Sequence, residues 1–581
     1  MNIRERFPRL ASAAGLAAAM LLAASPAVQA SDGKYGEEDA GKGGPHFQNV
    51  IVMVPDGCSQ SIQTLARWYK KHVLKDDESL TLDSMVSGMV QTHMANSVIT
   101  GSAAAATAFA TGYKTTVRFL AVAPDPNEAA NLTGYEDPID NPYQPLATVL
   151  EASRLAGMAT GLVSTSRITH ATPAAYACHI DDRGCDDEIM EHLVYQGLDV
   201  VFGGGERHLI PTGETYEGCG GKREDGDDLI EVLDELGYQM PRTAAELDDL
   251  DSGKAWGMFA CSHMAPDLDR DKSESGQPSI AEMTEAAIEL LSKDPDGFFL
   301  MVEGSQVDWA GHANDPIYMV TDFLAFDEAV AVAVEFAEQK RKGNTLVLVF
   351  PDHNTGALSI GSGTAIPPYT NTTVEDLLEP LVTMEYTSNV VEAEIKELSD
   401  DPDNPEAEVV QDVIAAIWGI EISEEEAEEI LELSQEMYLS YAVSEVVSRY
   451  HTVFGWTTHG HTGEDVPLWS YATGGKPRPV GLFDNTELAG IVEDALRLDL
   501  ASAQEELFVE VVPDDVTSTD PVDNPEITYG DCTLYVGTNL ADGPVSDLPG
   551  LVVQAPSGCD EVPEGTVTSY YVPRKAVDAC E

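Results

Sequence analysis

Three short, unbroken apolar runs in this chain each end on an acidic residue. This repetition restricts the available folds more than any other feature. NVIVMVP leads into Asp56, GFFLMV into Glu303, and TLVLVFP into Asp352 and His353. Runs without alternation mark strands covered on both faces, because a strand with one wet face alternates apolar and polar residues. Helical patterns separate them. Buried strands alternating with helices predict an α/β fold, a three-layer sandwich in which a large, mostly parallel central sheet is covered by helices. In open sheets of this kind ligands bind beyond the carboxyl ends of the strands. The acids that end the three runs are therefore predicted to share one site.

Further strands are predicted at 160–165 and at 198–202, the latter closed by Gly203, Gly204 and Gly205. Helices are predicted at 102–110, stopped by Gly112, at 280–292 and at 322–342. Between about 365 and 450 the chain turns helical and heavily acidic, which reads as an insertion. Its Glu424, Glu425, Glu426 run reads as a solvated helix face. Residues 506–581 are rich in Val, Thr, Tyr, Asp, Pro and Gly and read as a β-rich extension with no visible chemistry. The expected organisation is a signal peptide at 1–30, a catalytic body at 31–505 that carries the insertion, and the extension.

The signal rests on Arg4, Arg6 and Arg9 ahead of an alanine-rich apolar stretch to Ala24, with Val28, Gln29 and Ala30 fitting small-residue cleavage. An exported protein, periplasmic or secreted, is expected, with no membrane span after cleavage. The 581 residues carry 100 acidic against 32 basic side chains, net −68. Such a field argues against nucleic acid and anionic membranes as partners. It resembles the surfaces of proteins from salty media, where counterions screen the self-repulsion. Export permits disulfides among the eight cysteines. Cys178 is close enough to Cys185 for a local loop, and Cys219 with Cys261 is a second expected pair. Cys532, Cys559 and Cys580 cannot all pair among themselves, and Cys58 reads as a buried free thiol.

The chemistry-bearing residues gather around the same strand ends. After Glu303, Asp308 and His312 are four apart, so on a helix they share one face and converge on one ion. Hard carboxylates with imidazoles suit a mixed magnesium and zinc site. Ser102 opens an alanine-rich helical stretch, TGSAAAATA. It reads either as an N-cap or as a nucleophile, and the two are compatible, since a helix N-terminus favours an anion.

TGSAAAATAFATGYKT, together with NVIVMVPDG, THATPAA, DVVFGGG, FFLMVEGSQVDWAGH, VLVFPDH and GHTGEDVPL, resembles alkaline phosphatase, in family order from about residue 48 to 475. The resemblance implies hydrolysis of phosphate monoesters at alkaline pH through a phosphoseryl intermediate on Ser102. It implies two zinc ions, one magnesium ion and a homodimer. Asp56, Asp352 and His353 resemble the ligands of one zinc, with Asp56 bridging to the magnesium. Asp308, His312 and His461 resemble the ligands of the other zinc, with His459 the competitor of His461. Thr172 and Glu303 resemble magnesium ligands, and Arg183 the arginine that clamps the phosphate.

Three positions depart from the best-known bacterial pattern. Gly101 stands where that pattern has aspartate, so Arg183 is expected to be held more loosely or by other means. His170 and Trp309, behind the ligands, replace Asp and Lys, and His170 is expected to weaken magnesium binding or admit another metal. His208 is expected in a loop. The competing readings are a superfamily phosphodiesterase or sulfatase, and a non-catalytic acidic metal-binding protein. Thr172 and Glu303 favour the monoesterase, as does the lack of a Cys/Ser-x-Pro-x-Arg motif at Ser102.

Overall fold

Alternation along the central strands divides the core into two layers. In the strand Asn49–Pro55, Ile51 and Met53 face one apolar layer while Val50, Val52 and Val54 face the other. In Phe298–Gly304, Phe298, Leu300 and Val302 split in the same way from Phe299 and Met301. Every residue of both strands is buried, and each such aliphatic or aromatic side chain contributes about 1.5–3 kcal/mol relative to exposure. Hence these runs show no polar alternation. The computed structural model describes residues 46–125, 141–270, 272, 275–339, 344–362, 369–511, 517–518, 526–545, 548–557 and 569–580. The expected signal at 1–30 lies outside the described residues.

Nine strands form the central sheet: β1 (Asn49–Pro55), β2 (Val86–Gln91), β3 (Ala159–Arg167), β4 (Val200–Gly204), β5 (Ala255–Met258), β6 (Phe298–Gly304), β7 (Thr345–Val349), β8 (Val466–Ala472) and β9 (Gly481–Asp484). Their order is β9-β2-β8-β7-β1-β6-β3-β4-β5. Only β8 runs antiparallel to its neighbours, β2 and β7. One face is covered by α1 (Gln60–His72), α3 (Ile280–Leu291) and α5 (Pro316–Glu338), the other by α2 (Ser102–Thr111) and by Glu487–Leu496. The expected α/β three-layer sandwich is the observed fold.

Helix α5 begins six residues before its predicted start. Asp315 accepts hydrogen bonds from the backbone of Ile317 and Tyr318 and Pro316 takes the first turn, a start signal written in the Asp-Pro pair. Strand β4 runs on through Gly203 and Gly204 before Gly205 turns the chain at φ 103°. Between β7 and β8 lie Val374–Thr383, Ser388–Leu398, Ala407–Trp418, Glu424–Leu433 and α6 (Leu439–His451), whose apolar faces join the α5 layer. The glutamate run there is more than a solvated face. Ser423 and Glu426 form a capping box, and Glu426 also meets His451 at 3.0 Å.

After Leu507 the chain forms two small antiparallel sheets. Val509–Val511, Ser569–Val572 and Val553–Ala555 make one, and Thr517–Ser518, Glu526–Tyr529, Cys532–Tyr535 and Ala541–Asp542 the other. Disulfides join Cys219 to Cys261 and Cys532 to Cys580, and Cys58 is a buried free thiol. The expected Cys178–Cys185 loop does not form. Cys178 is a free thiol packed into the α2 layer, and Cys185 is disulfide-bonded to another residue. Among the described residues no helix is long and apolar enough to cross a membrane.

Candidate metal and phosphate site

Strand register brings the acids together. Val54 lies opposite Glu303 and Pro55 opposite Gly304, while Met53 lies opposite Val349 and Ser164 opposite Glu303. The chains of β1, β3, β6 and β7 therefore leave the sheet almost level, and Asp56, Glu303, Asp352 and His353 emerge side by side, all buried. Gly57 permits this crowding. Its φ is +69°, and a Cβ there would sit 2.7 Å from the Asp308 Cα.

The innermost group is Asp56, Asp352 and His353, with one ligand atom of each within 4.8 Å of the others. Asp352 Oδ1 accepts from the backbone N–H of Gly57 (3.1 Å) and of His353 (2.9 Å). Its buried Oδ2 faces the His353 ring, and both oxygens of Asp56 are buried with no hydrogen-bond partner. Burial, then the charges of Asp352, Asp308 and Glu303, pushes the Asp56 carboxyl well above its usual range. Ser102 is the first residue of α2; Gly101, not Ser102, occupies the cap. The Ser102 Oγ lies 3.3 Å from His353 Nε2, which is itself 3.0 Å from Asp352 Oδ2.

Glu303 closes the inner end. Its Oε2 accepts from the hydroxyls of Ser164, Ser305 (2.6 Å) and Ser166 (3.3 Å), leaving Oε1 buried and unpaired beside the equally unpaired hydroxyl of Thr172. One ligand atom each of Asp56, Glu303 and His170 also lies within 4.8 Å of the others. Sequence reasoning misses the three serines. Ser164 and Ser166 sit at the end of β3, so their place at a strand end was the signal that could have found them.

The outer group is built on α4 (Gln306–Ala313). Asp308 and His312 share its inner face as expected, with His312 Nε2 3.3 Å from Asp308 Oδ2. A two-residue antiparallel bridge pairs Thr355 with His461 and sets His461 Nε2 3.3 Å from His312 Nε2 and 3.7 Å from Asp308 Oδ1. The outward nitrogens are fixed: the Nδ1–H of His461 donates to the Thr100 carbonyl (2.9 Å) and that of His312 to the His459 carbonyl. This turns both Nε2 atoms toward the site, where a cation would replace the proton that His312 otherwise carries. Burial opposes ionisation of Asp308, but His312, His353 and His461 outweigh it and hold the carboxyl below its usual range. Burial lowers His312, yet Asp308 raises it to about 9. Burial and His353 lower His461 to about 4.

His459 turns away from the site. Its Nδ1–H donates to the His312 carbonyl (2.6 Å) and its Nε2 meets Glu445 Oε2 of α6 at 2.7 Å. His461 is thus the inward residue of the pair. Arg183 points at the inner group, and its Nη2 donates to His170 Nε2 at 2.7 Å. Burial, then Arg183 and Arg167, keeps His170 well below the usual histidine range. Trp309 stands edge-on to His170 at 5.7 Å and to His263 at 4.3 Å. His263 in turn receives Arg167 at 2.7 Å, and its loop carries no local sequence signal. His208 lies apart, in the turn Glu206–His208, paired with Asp187 at 2.8 Å.

The donor set fits divalent cations. Oxygens of Asp56, Glu303 and Thr172 without a hydrogen-bond partner are buried where water cannot reach them, and such atoms are costly unless an ion or hydrogen bond satisfies them. Carboxylates with imidazoles suit zinc, and carboxylate with hydroxyl suits magnesium.

Comparison with known proteins agrees. The family model for alkaline phosphatase matches residues 47–498. Repressible alkaline phosphatase of Saccharomyces cerevisiae is 33% identical over 78% of this chain and 82% of its own. Alkaline phosphatase 3 of Bacillus subtilis is 32% identical over 82% and 93%. The crystal structure of Thermus thermophilus alkaline phosphatase superposes with a TM-score of 0.66 at 27% identity, covering 78% of this chain and 92% of that one.

Proposed function

The chain belongs to the alkaline phosphatase family and is a phosphoric monoester hydrolase, and on that premise we propose that it works through a phosphoseryl intermediate on Ser102. The observation that carries this reading is the Ser102 Oγ, 3.3 Å from His353 Nε2 at the edge of a buried carboxylate–imidazole cluster.

Two zinc ions, one on Asp56, Asp352 and His353 and one on Asp308, His312 and His461, with magnesium on Asp56, Thr172 and Glu303, would supply the Lewis acidity that activates serine and water and neutralises the phosphate. The chain's own residues do the rest. The start of α2 directs its N–H groups and dipole at the reacting oxygen, which favours the alkoxide of Ser102. Arg183 holds two phosphoryl oxygens with its planar fork. Ser102 gives its proton to solvent, its oxygen attacks phosphorus, the ester P–O bond breaks, and the departing alcohol oxygen takes a proton from water. In the second step water attacks the phosphoserine, the Oγ–P bond breaks, and Ser102 and inorganic phosphate are released. His170 would add an imidazole to the magnesium ligands, and zinc would then compete for that position. The disulfides fit an exported protein.

The test is hydrolysis of p-nitrophenyl phosphate at alkaline pH by protein as purified, after chelation, and after return of zinc and magnesium. Loss on chelation and recovery only with both metals is expected. Faster turnover of p-nitrophenyl sulfate or of a phosphodiester would sink the monoester mechanism.

A further inference from the structure

The family match ends at residue 498, yet the chain beyond it reaches a loop of the site. Residues 179–185 carry Arg183. The body grips this loop on one side. Leu120 and Ile180 exchange backbone hydrogen bonds of 2.8 and 3.1 Å, the Arg183 N–H donates to the Arg118 carbonyl at 2.9 Å, and Arg118 pairs with Asp182.

The extension grips it on the other. The Asp181 N–H donates to the Ser557 carbonyl at 3.3 Å, and the Ser557 hydroxyl donates to the His179 carbonyl at 3.3 Å. Leu551, Val553 and Ala555 anchor this segment by packing with Ala147 and Ala152 of the body. Cys185, two residues past Arg183, is disulfide-bonded.

The guanidinium itself is lightly held. It donates to His170 and makes no ion pair among the described residues. Its aim therefore depends on its backbone, and misplacing such a group by about 1 Å is enough to cost up to about a hundredfold. We propose that the C-terminal extension is a positioning element for Arg183, holding the 179–185 loop through Ser557. This rests on the reading of Arg183 as the phosphate clamp.

The test uses the full-length, metal-loaded enzyme and reads the inhibition constant of inorganic phosphate beside the bound metal content. Arg183→Ala comes first. A loss of phosphate affinity of about tenfold or more is expected, and unchanged affinity overturns the clamp reading and the inference with it. If the clamp stands, Ser557→Ala, which removes the hydroxyl bond to the His179 carbonyl, is expected to weaken phosphate inhibition about twofold at unchanged metal content. Val553→Ala, which loosens the anchorage of the same segment on Ala147 and Ala152, is expected to act in the same direction. In the Arg183→Ala background neither change is expected to add anything. Unchanged phosphate inhibition in both variants, or an equal loss without Arg183, overturns the proposal.

Discussion

The inner and outer halves of the acidic cluster are assembled from the same residue types but on different principles. The inner half grows from the ends of adjacent parallel strands, and Asp56, Asp352 and His353 have no exposed side-chain surface. Its geometry is set by sheet register. The outer half pairs one helix with a loop from a distant part of the chain. His312 and His461 remain 26% and 19% exposed. Their outward nitrogens depend on carbonyls at His459 and Thr100, and His459 is braced by Glu445 on α6. The inner half is rigid because the core is rigid, and the outer half is rigid only as far as its supports hold. The inner half should therefore keep its geometry under change, while the outer half responds to residues well outside it.

The largest expected effect lies in the inner half. Ser102→Ala should lower turnover of p-nitrophenyl phosphate by roughly 10⁴-fold or more, with bound zinc unchanged by elemental analysis. Retention of a substantial fraction of activity would place the reacting oxygen elsewhere and break the distinction. His461→Ala comes next, with a fall in kcat of roughly 10²–10³-fold that excess zinc partly restores. Asp352→Ala should fall at least as far and resist the same zinc titration. Equal rescue of the two would show that the halves do not differ in rigidity.

Smaller effects sharpen the contrast. Glu445→Gln removes no proposed ligand, but it should weaken zinc affinity at the outer half by about tenfold, read by competition with a chromophoric chelator. Inner-half affinity should not move. Ser164→Ala is the matching change behind Glu303. It should cost about 1 kcal/mol of stability in thermal melts and shift magnesium activation only slightly, since Ser305 and Ser166 still donate to the same oxygen.

What was legible in the sequence follows this division. Asp56, Glu303, Asp352 and His353 could be read because each ends an apolar run, and a strand buried on both faces leaves a contiguous signature. Asp308 and His312 could be read because four residues make one helical turn. Strands β2, β5, β8 and β9 escaped, being short or interrupted by polar residues and glycines, as in VSGMVQ and AWGM. His263 and the Glu445–His459 contact escaped because they exist only through long-range packing. The choice between His459 and His461 rested on the surrounding motif, and structurally it turns on a two-residue bridge to Thr355. The Cys178–Cys185 expectation failed because nearness in sequence says nothing about which way a buried thiol faces.

The reversed direction of β8 has an architectural consequence. Strand β7 leaves the sheet at the edge where the acids gather, and β8, running the other way, enters at that same edge. The connection between them thus begins and ends over the site, like the loop of a very long hairpin. A parallel strand would instead need a crossover to the opposite edge. Lengthening such a loop costs little, because closure entropy rises only with the logarithm of its length. This junction is therefore a place where the chain can accept new material without disturbing the sheet, and whatever is added there stands as a wall or a roof above the chemistry.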